Sequence, residues 1–206
     1  LMREVQKQRL QLLQLMVGPK EVAKIEFATD AGFICGSEIH YMYRPVNSKI
    51  GIVRIPPGIR WQIYSEKNHQ LFADVIEQSW VDSLDCPEIS GLRTVEQTIQ
   101  SYKAAGIFTR TCWSMLFLDD DPAGVCLLSP LASGSSIELT YTGVVPQARG
   151  RGLGMIMLNR AISLAAIDGY KIISLAVDDK NVYARRIYEN AGFKIMFTKI
   201  AMLYIF

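Results

Sequence analysis

The stretch PQARGRGLGMIML, residues 146–158, gathers residue types that could hold an anion. Gly150, Gly152 and Gly154 stand at alternate positions, interleaved with Arg151 and Leu153 and preceded by Arg149. The β-branched run SSIELTYTGVV leads in, and a one-sided apolar segment leads out. A strand that turns through glycines into a helix presents the first N–H groups of that helix, which lack internal partners and carry the positive end of its dipole. Glycines remove the Cβ atoms that would hold a phosphate away, and arginines can offset a multiply charged ligand. Spacing excludes two common phosphate loops. A P-loop needs Lys and then Ser or Thr after its last glycine, where Leu153-Gly154-Met155 stands, and a dinucleotide loop needs GxGxxG, where this chain has GxGxG.

Two other groups could carry proton transfer. In NVYARRIYENAGF, residues 181–193, Asn181 suits a helix cap, and Tyr188 falls one turn past Ala184 on the apolar face. From the residues alone Tyr188 reads as a tyrosine packed in the core. Glu138 sits in the strand before the glycine loop, with Thr140 and Thr142 on its face at period two. From the residues alone it reads as a solvent-facing strand residue. The only histidines, His40 and His69, lie near neither motif.

Arg149, Gly152 and Gly154 meet the pattern R/Q-x-x-G-x-G/A, and residues 181–193 meet N-x-x-A-x-x-x-Y-x-x-x-G-F at every named position. Two motifs in this order, with the strand ISLAVD between them, resemble motifs A and B of the GCN5-related N-acetyltransferases, the GNAT superfamily. The resemblance covers residues 58–206. It implies a mixed, mostly antiparallel α/β (α+β) sheet with helices on both faces. It also implies a V-shaped opening between two parallel strands that end near Val145 and Val177. Acetyl-CoA would lie there as co-substrate, its pyrophosphate on the amides of Arg149, Gly150, Arg151, Gly152, Leu153 and Gly154. Its pantetheine arm would pair with the backbone of Gly143, Val144 and Val145, and Asn181 could also hold that arm. By the same resemblance Tyr188 protonates the departing thiolate, Glu138 deprotonates the amine, and a small-molecule or peptide amine is the acceptor. A non-catalytic acyl-CoA-binding or regulatory module is the alternative.

The elements that must position these groups are visible in the patterning. IRWQIY alternates as a strand, and NHQLFADVIEQSW and TVEQTIQSYKAAG read as helices, the second with Thr94 as N-cap. CWSMLFL and AGVCLLSP flank the acidic turn DDDPAG as a hairpin, KIISLAV reads as a strand covered on both faces, and KIMFTKIAMLYIF closes the chain as a strand. Ahead of these, residues 1–16 read as an amphipathic helix, 21–30 as a second helix and AGFICGSEIHYMYRP as a turn and strand, with a linker at 44–58. Shifted by 160 positions, KEVAKIEFATDAGF (20–33) lies over KNVYARRIYENAGF (180–193), with Lys20, Val22, Ala31, Gly32 and Phe33 coinciding. Residues 1–57 therefore read as a partial, decayed repeat that has Glu21 and Ala28 in place of Asn181 and Tyr188, a layout resembling tandem GNAT proteins of the mycothiol synthase type. A chance match of two helix–turn–strand units is the alternative.

Composition narrows the setting. Of 206 residues half are hydrophobic and 20% charged, at a net charge of +2, too near neutral for a nucleic-acid surface. No apolar run reaches the ~18 residues of a membrane span, and no signal peptide is visible. Cysteines 35, 86, 112 and 126 have no CxxC spacing, so a metal site is not expected, and they read as core residues of a cytoplasmic protein. The helix at 1–16 and the apolar C-terminus could pair subunits as a homodimer.

Overall fold

The computed structural model describes residues 12–46, 55–85 and 91–206. In chain order the elements are β1 (Leu12–Val17), α1 (Val22–Asp30), β2 (Ile34–Pro45), β3 (Ile59–Ile63), α2 (His69–Trp80), α3 (Val95–Ala104), β4 (Trp113–Leu118), β5 (Asp121–Pro130), β6 (Ser136–Val144), α4 (Leu153–Ile167), β7 (Ile172–Asp178), α5 (Val182–Asn190) and β8 (Lys194–Ile205). The strands form one sheet in the order β1-β8-β2-β7-β6-β5-β4-β3, parallel only between β6 and β7. From Ile59 onward the order of helices and strands follows the sequence patterning.

Local chemistry explains several boundaries. Thr94 accepts from Gln97 N–H at 3.2 Å while the Gln97 side chain accepts from Thr94 N–H at 2.9 Å, a reciprocal cap that starts α3. Helix α2 buries Phe72, Ala73, Val75 and Ile76 along one stripe. Asp119 and Asp120 take φ of 50° and 70° in the β4–β5 turn, so the acidic triplet serves a hairpin. The two faces are covered by different helices. Ser79 of α2 bonds the Tyr141 hydroxyl, and Met157 of α4 meets Thr142; consecutive strand residues point to opposite faces.

The N-terminal expectation needs correction. Leu12–Val17 is a strand, not the end of a helix, because it pairs along its whole length with β8. A ladder to a strand at the far end of the chain overrides the local helical period. Residues 1–11 and most of the expected linker, residues 47–54, lie outside the described residues. Cys35 is exposed, while Cys112 and Cys126 are buried.

Strand β2 enters the sheet between β7 and β8, and the arrangement repeats itself. Helices α1 and α5 begin and end 160 residues apart (22 to 182, 30 to 190), as do β2 and β8 (34 to 194, 45 to 205). The pairing repeats too. Leu12 faces Ile205 as Ile172 faces Pro45, and Val17 faces Ile200 as Val177 faces His40. Ile39 faces Lys199, its own counterpart, so a pseudo-twofold axis passes through the β2–β8 ladder there. The two helices end alike, with Gly32 at φ +90° and Gly192 at φ +84°, each followed by a 3.0 Å bond from Phe33 or Phe193 N–H to Ala28 or Tyr188 carbonyl.

Candidate active site

The parallel pairing of β6 and β7 runs only from Ser136 and Ile172 to Leu139 and Leu175. Beyond Leu139 the strands part, while β6 continues to Val144 on its β5 side alone. The gap holds a cavity of about 700 Å³, lined by Thr140 to Val144, by the glycine loop, and by Asn181, Ala184 and Tyr188 of α5.

The three glycines have different duties. Gly150 and Gly152 both take φ +75°, a left-handed conformation that side chains other than glycine adopt at a cost, and a Cβ on either would meet open space. Gly152 is the residue before α4, whose first bonds run from Met155 and Ile156 N–H to Gly152 carbonyl. The amides just ahead of those bonds are left at the helix terminus without intrahelical partners. Gly154 serves packing, since a Cβ there would stand 3.2 Å from Ile187 Cδ1 of α5.

The arginines go elsewhere than toward the loop. Arg149 donates to the carbonyls of Val144 (3.1 Å), Ser79 (3.1 Å) and Val81 (2.7 Å), stapling the C-terminal end of α2 to β6. Val145 N–H bonds Ala123 on β5, so the Val144 carbonyl faces the gap and is already occupied by this guanidinium. Arg151 lines a separate hollow of about 510 Å³ beside Asp74, Asp119 and Asp121. Gly143 is a close-approach glycine, as its Cβ would meet Ser79 Oγ at 2.4 Å.

Asn181 Oδ1 accepts from Ala184 N–H at 3.2 Å, capping α5 while lining the cavity. Tyr188 is 7% exposed, and burial first, then the charge of Asp85, pushes its phenol well above the ordinary tyrosine value. It stays protonated at neutral pH. Glu138 faces Ser174 across the ladder and is half-buried. Burial alone raises its carboxyl above the usual carboxylate range. It is not among the residues lining the cavity.

Two features escaped the sequence. Asp82, Ser83, Leu84 and Asp85, beyond the end of α2, line the cavity, and the Asp178 N–H donates to the Asp85 carboxylate. A non-periodic loop carries no signal of this. His40 does lie beside motif B: its Nε2 is 2.9 Å from Asp179 Oδ1 and its Nδ1 2.8 Å from Thr198 Oγ1, and Asp179 also bonds Arg185. Only the insertion of β2 beside β7 brings it there. Among the described residues no group of His, Cys, Asp and Glu is placed to hold a metal ion, and no helix is long and apolar enough to cross a membrane.

A sheet opened between two parallel strands, with left-handed glycines at a helix N-terminus in the opening, is the architecture of the GNAT fold. Residues 76–193 match the model of the Acetyltransferase (GNAT) family, and the chain belongs to that family. It is similar to a mycothiol acetyltransferase of Beutenbergia cavernae, 36% identical over 84 residues, 39% of this chain and 28% of the relative. It is also similar to a mycothiol acetyltransferase of Rhodococcus erythropolis, 25% identical over 182 residues, 83% of this chain and 58% of the relative. The chain thus spans less than two thirds of either relative's length. A GCN5-related N-acetyltransferase from Sphaerobacter thermophilus shares the fold at a TM-score of 0.70 and 17% identity, over 94% of this chain and 59% of that one. A tandem GNAT protein from the clavulanic acid biosynthesis pathway does so at 0.64 and 12%, over 98% and 66%.

Proposed function

We propose that the chain binds acetyl-CoA in the gap between β6 and β7 and transfers its acetyl group to a primary amine by direct attack. The observation that carries this is the pair of left-handed glycines with open Cβ space at the N-terminus of α4, beside a 700 Å³ cavity. Anion binding needs close backbone approach, and that approach is what these positions leave free. The pantetheine arm would follow the gap-facing edge of β6 around Gly143, Val144 and Val145, where Arg149 already holds the Val144 carbonyl, with Asn181 across from it.

The protons balance as follows. The ammonium form of the acceptor loses one to Glu138, directly or through water, and Glu138 returns it to solvent. The neutral nitrogen attacks the thioester carbon, the C–S bond breaks, and the thiolate takes a proton from Tyr188, which recovers one from the nitrogen of the adduct. Burial that raises the phenol raises a buried thiolate as well, since both anions lose hydration, so the transfer stays near balance. A base with a raised pKa is the stronger base for an amine.

The acceptor is a small-molecule or peptide amine, and the setting we propose is the cytoplasm, without nucleic acid and with pairing of subunits as a further element. We infer also that residues 1–57 form a decayed GNAT-like lobe ahead of the transferase domain at 58–206; the offset of 160 residues supports a repeat. Thermal shift with acetyl-CoA, followed by thiol release over a panel of amines, tests the function. Binding without thiol release would favour the non-catalytic module. Absence of binding would refute the proposal.

A further inference from the structure

Along β7, Ile173, Leu175 and Val177 are buried on one face; the other face carries Ile172, Ser174, Ala176 and Asp178, of which the middle two are small and Ala176 is exposed. On one flank Glu138 of β6 stands opposite Ser174. On the other flank, Tyr43 and Tyr41 of β2 stand opposite Ser174 and Ala176. Residues opposite one another in neighbouring strands share a face. The result is a trough with a floor of Ser174 and Ala176, a carboxylate on one wall and tyrosines on the other. Two strand spacings make it roughly 10 Å wide between backbones.

The walls have the chemistry of a binding site. Tyr41 stacks on Phe197 of β8 with ring centroids 4.6 Å apart and an interplanar angle of 26°, and Phe197 is 42% exposed. This aromatic surface faces outward instead of filling the core. Glu138 has no cationic partner among the described residues, yet its charge reaches the Tyr41 phenol. A half-buried carboxylate with nothing to neutralise it is costly, and such groups gather where a ligand completes them. Ala176 lines the cavity between β6 and β7 as well, so the trough opens onto that gap.

We infer that this trough is the acceptor site, and that it takes a primary amine carried on a ring with an apolar face, the ammonium against Glu138 and the ring against the Tyr41–Phe197 stack. The inference rests on the acetyl-transfer reading above and adds to it that β2, from the N-terminal segment, selects the acceptor. An aromatic ring and a sugar ring both offer such a face, and the test separates them.

Thiol release from acetyl-CoA is measured with benzylamine, glucosamine and n-butylamine as acceptors, for the wild type and for Tyr41→Ala, Phe197→Ala and Tyr41→Phe. The wild type should prefer one of the ring amines to n-butylamine in kcat/KM. Tyr41→Ala and Phe197→Ala should each cut that preference at least about tenfold, and Tyr41→Phe should restore it, because the stacking surface is retained. A merely structural role would lower all three acceptors together. Should Tyr41→Ala fail to fold, Ser174→Phe fills the trough from its floor, and it should raise KM for every amine at least about tenfold with acetyl-CoA affinity unchanged. Turnover with no preference for a ring, or a preference that survives Tyr41→Ala or, in its place, a KM unmoved by Ser174→Phe, overturns the trough alone. A wild type that releases no thiol with any amine overturns the trough and the transfer together.

Discussion

Replacing Gly152 by Ala adds one methyl group at φ +75°, where nothing lies within 4 Å of the added Cβ. The fold therefore meets no clash and bears only the left-handed strain of an L-residue, about 1–2 kcal/mol. For a chain of this size that is a loss of about 2–8 °C in Tm. The methyl would occupy the space above the N-terminus of α4, where the pyrophosphate is proposed to sit. Losing one charge-assisted hydrogen bond to an amide costs about 1.5–3 kcal/mol, so acetyl-CoA affinity should fall about ten- to hundredfold. Gly169 supplies a matched control. It follows α4, takes φ +79° and also has nothing within 4 Å of an added Cβ, so Gly169→Ala should show the same drop in Tm and none in affinity. Differential scanning fluorimetry gives the first quantity and titration calorimetry the second. A folded Gly152→Ala variant that binds acetyl-CoA as tightly as the wild type, or an equal loss in Gly169→Ala, would refute the placement of the pyrophosphate on this loop.

Tyr188→Phe keeps the packing and removes only the hydroxyl, so turnover should fall at least about tenfold with acetyl-CoA affinity nearly unchanged; full turnover would make Tyr188 a packing residue. Glu138 has a raised pKa, so the acidic limb of kcat/KM should lie above the ordinary carboxylate value of about 4.3, and Glu138→Gln should abolish that limb. Stability follows the same sign: because the folded state holds this proton more tightly than the unfolded chain, the contribution is present at low pH and lost as pH rises through the folded pKa. Glu138→Gln should therefore raise Tm relative to the wild type at pH 7 but not at pH 3, and equal shifts at both would contradict the burial of this carboxyl.

Motifs that act locally were legible from the residues alone. The glycine loop, the Asn181 cap, the Thr94 cap and the helix and strand order after Ile59 each depend on side chains within a few positions of one another, where spacing and conformation are tightly linked. What escaped depends on partners far along the chain. Nothing in LLQLMV shows that it will pair with Leu203 and its neighbours, and its hydrophobic spacing suits a helix as well as an edge strand. The reach of Arg149 back to Ser79 and Val81 is likewise invisible, because a guanidinium beside three glycines looks like a phosphate ligand until α2 is placed. His40 and Tyr41 gain their neighbours only when β2 enters the sheet, and the cavity-lining loop ahead of Asp85 follows no period at all.

The insertion of β2 also sets an order of events. Its two neighbours, β7 and β8, are the last of the described strands to leave the ribosome, long after β2. Until β7 and β8 emerge this strand waits with both edges open, and the sheet closes by contacts of long sequence separation that form slowly. Once closed, the two ladders from Ile39–Pro45 to β7 and from Ile34–Tyr43 to β8 hold the segment without help from the peptide bond that follows it. A protease cut within residues 47–54 should then leave two polypeptides that migrate as one particle in gel filtration and separate only in denaturant.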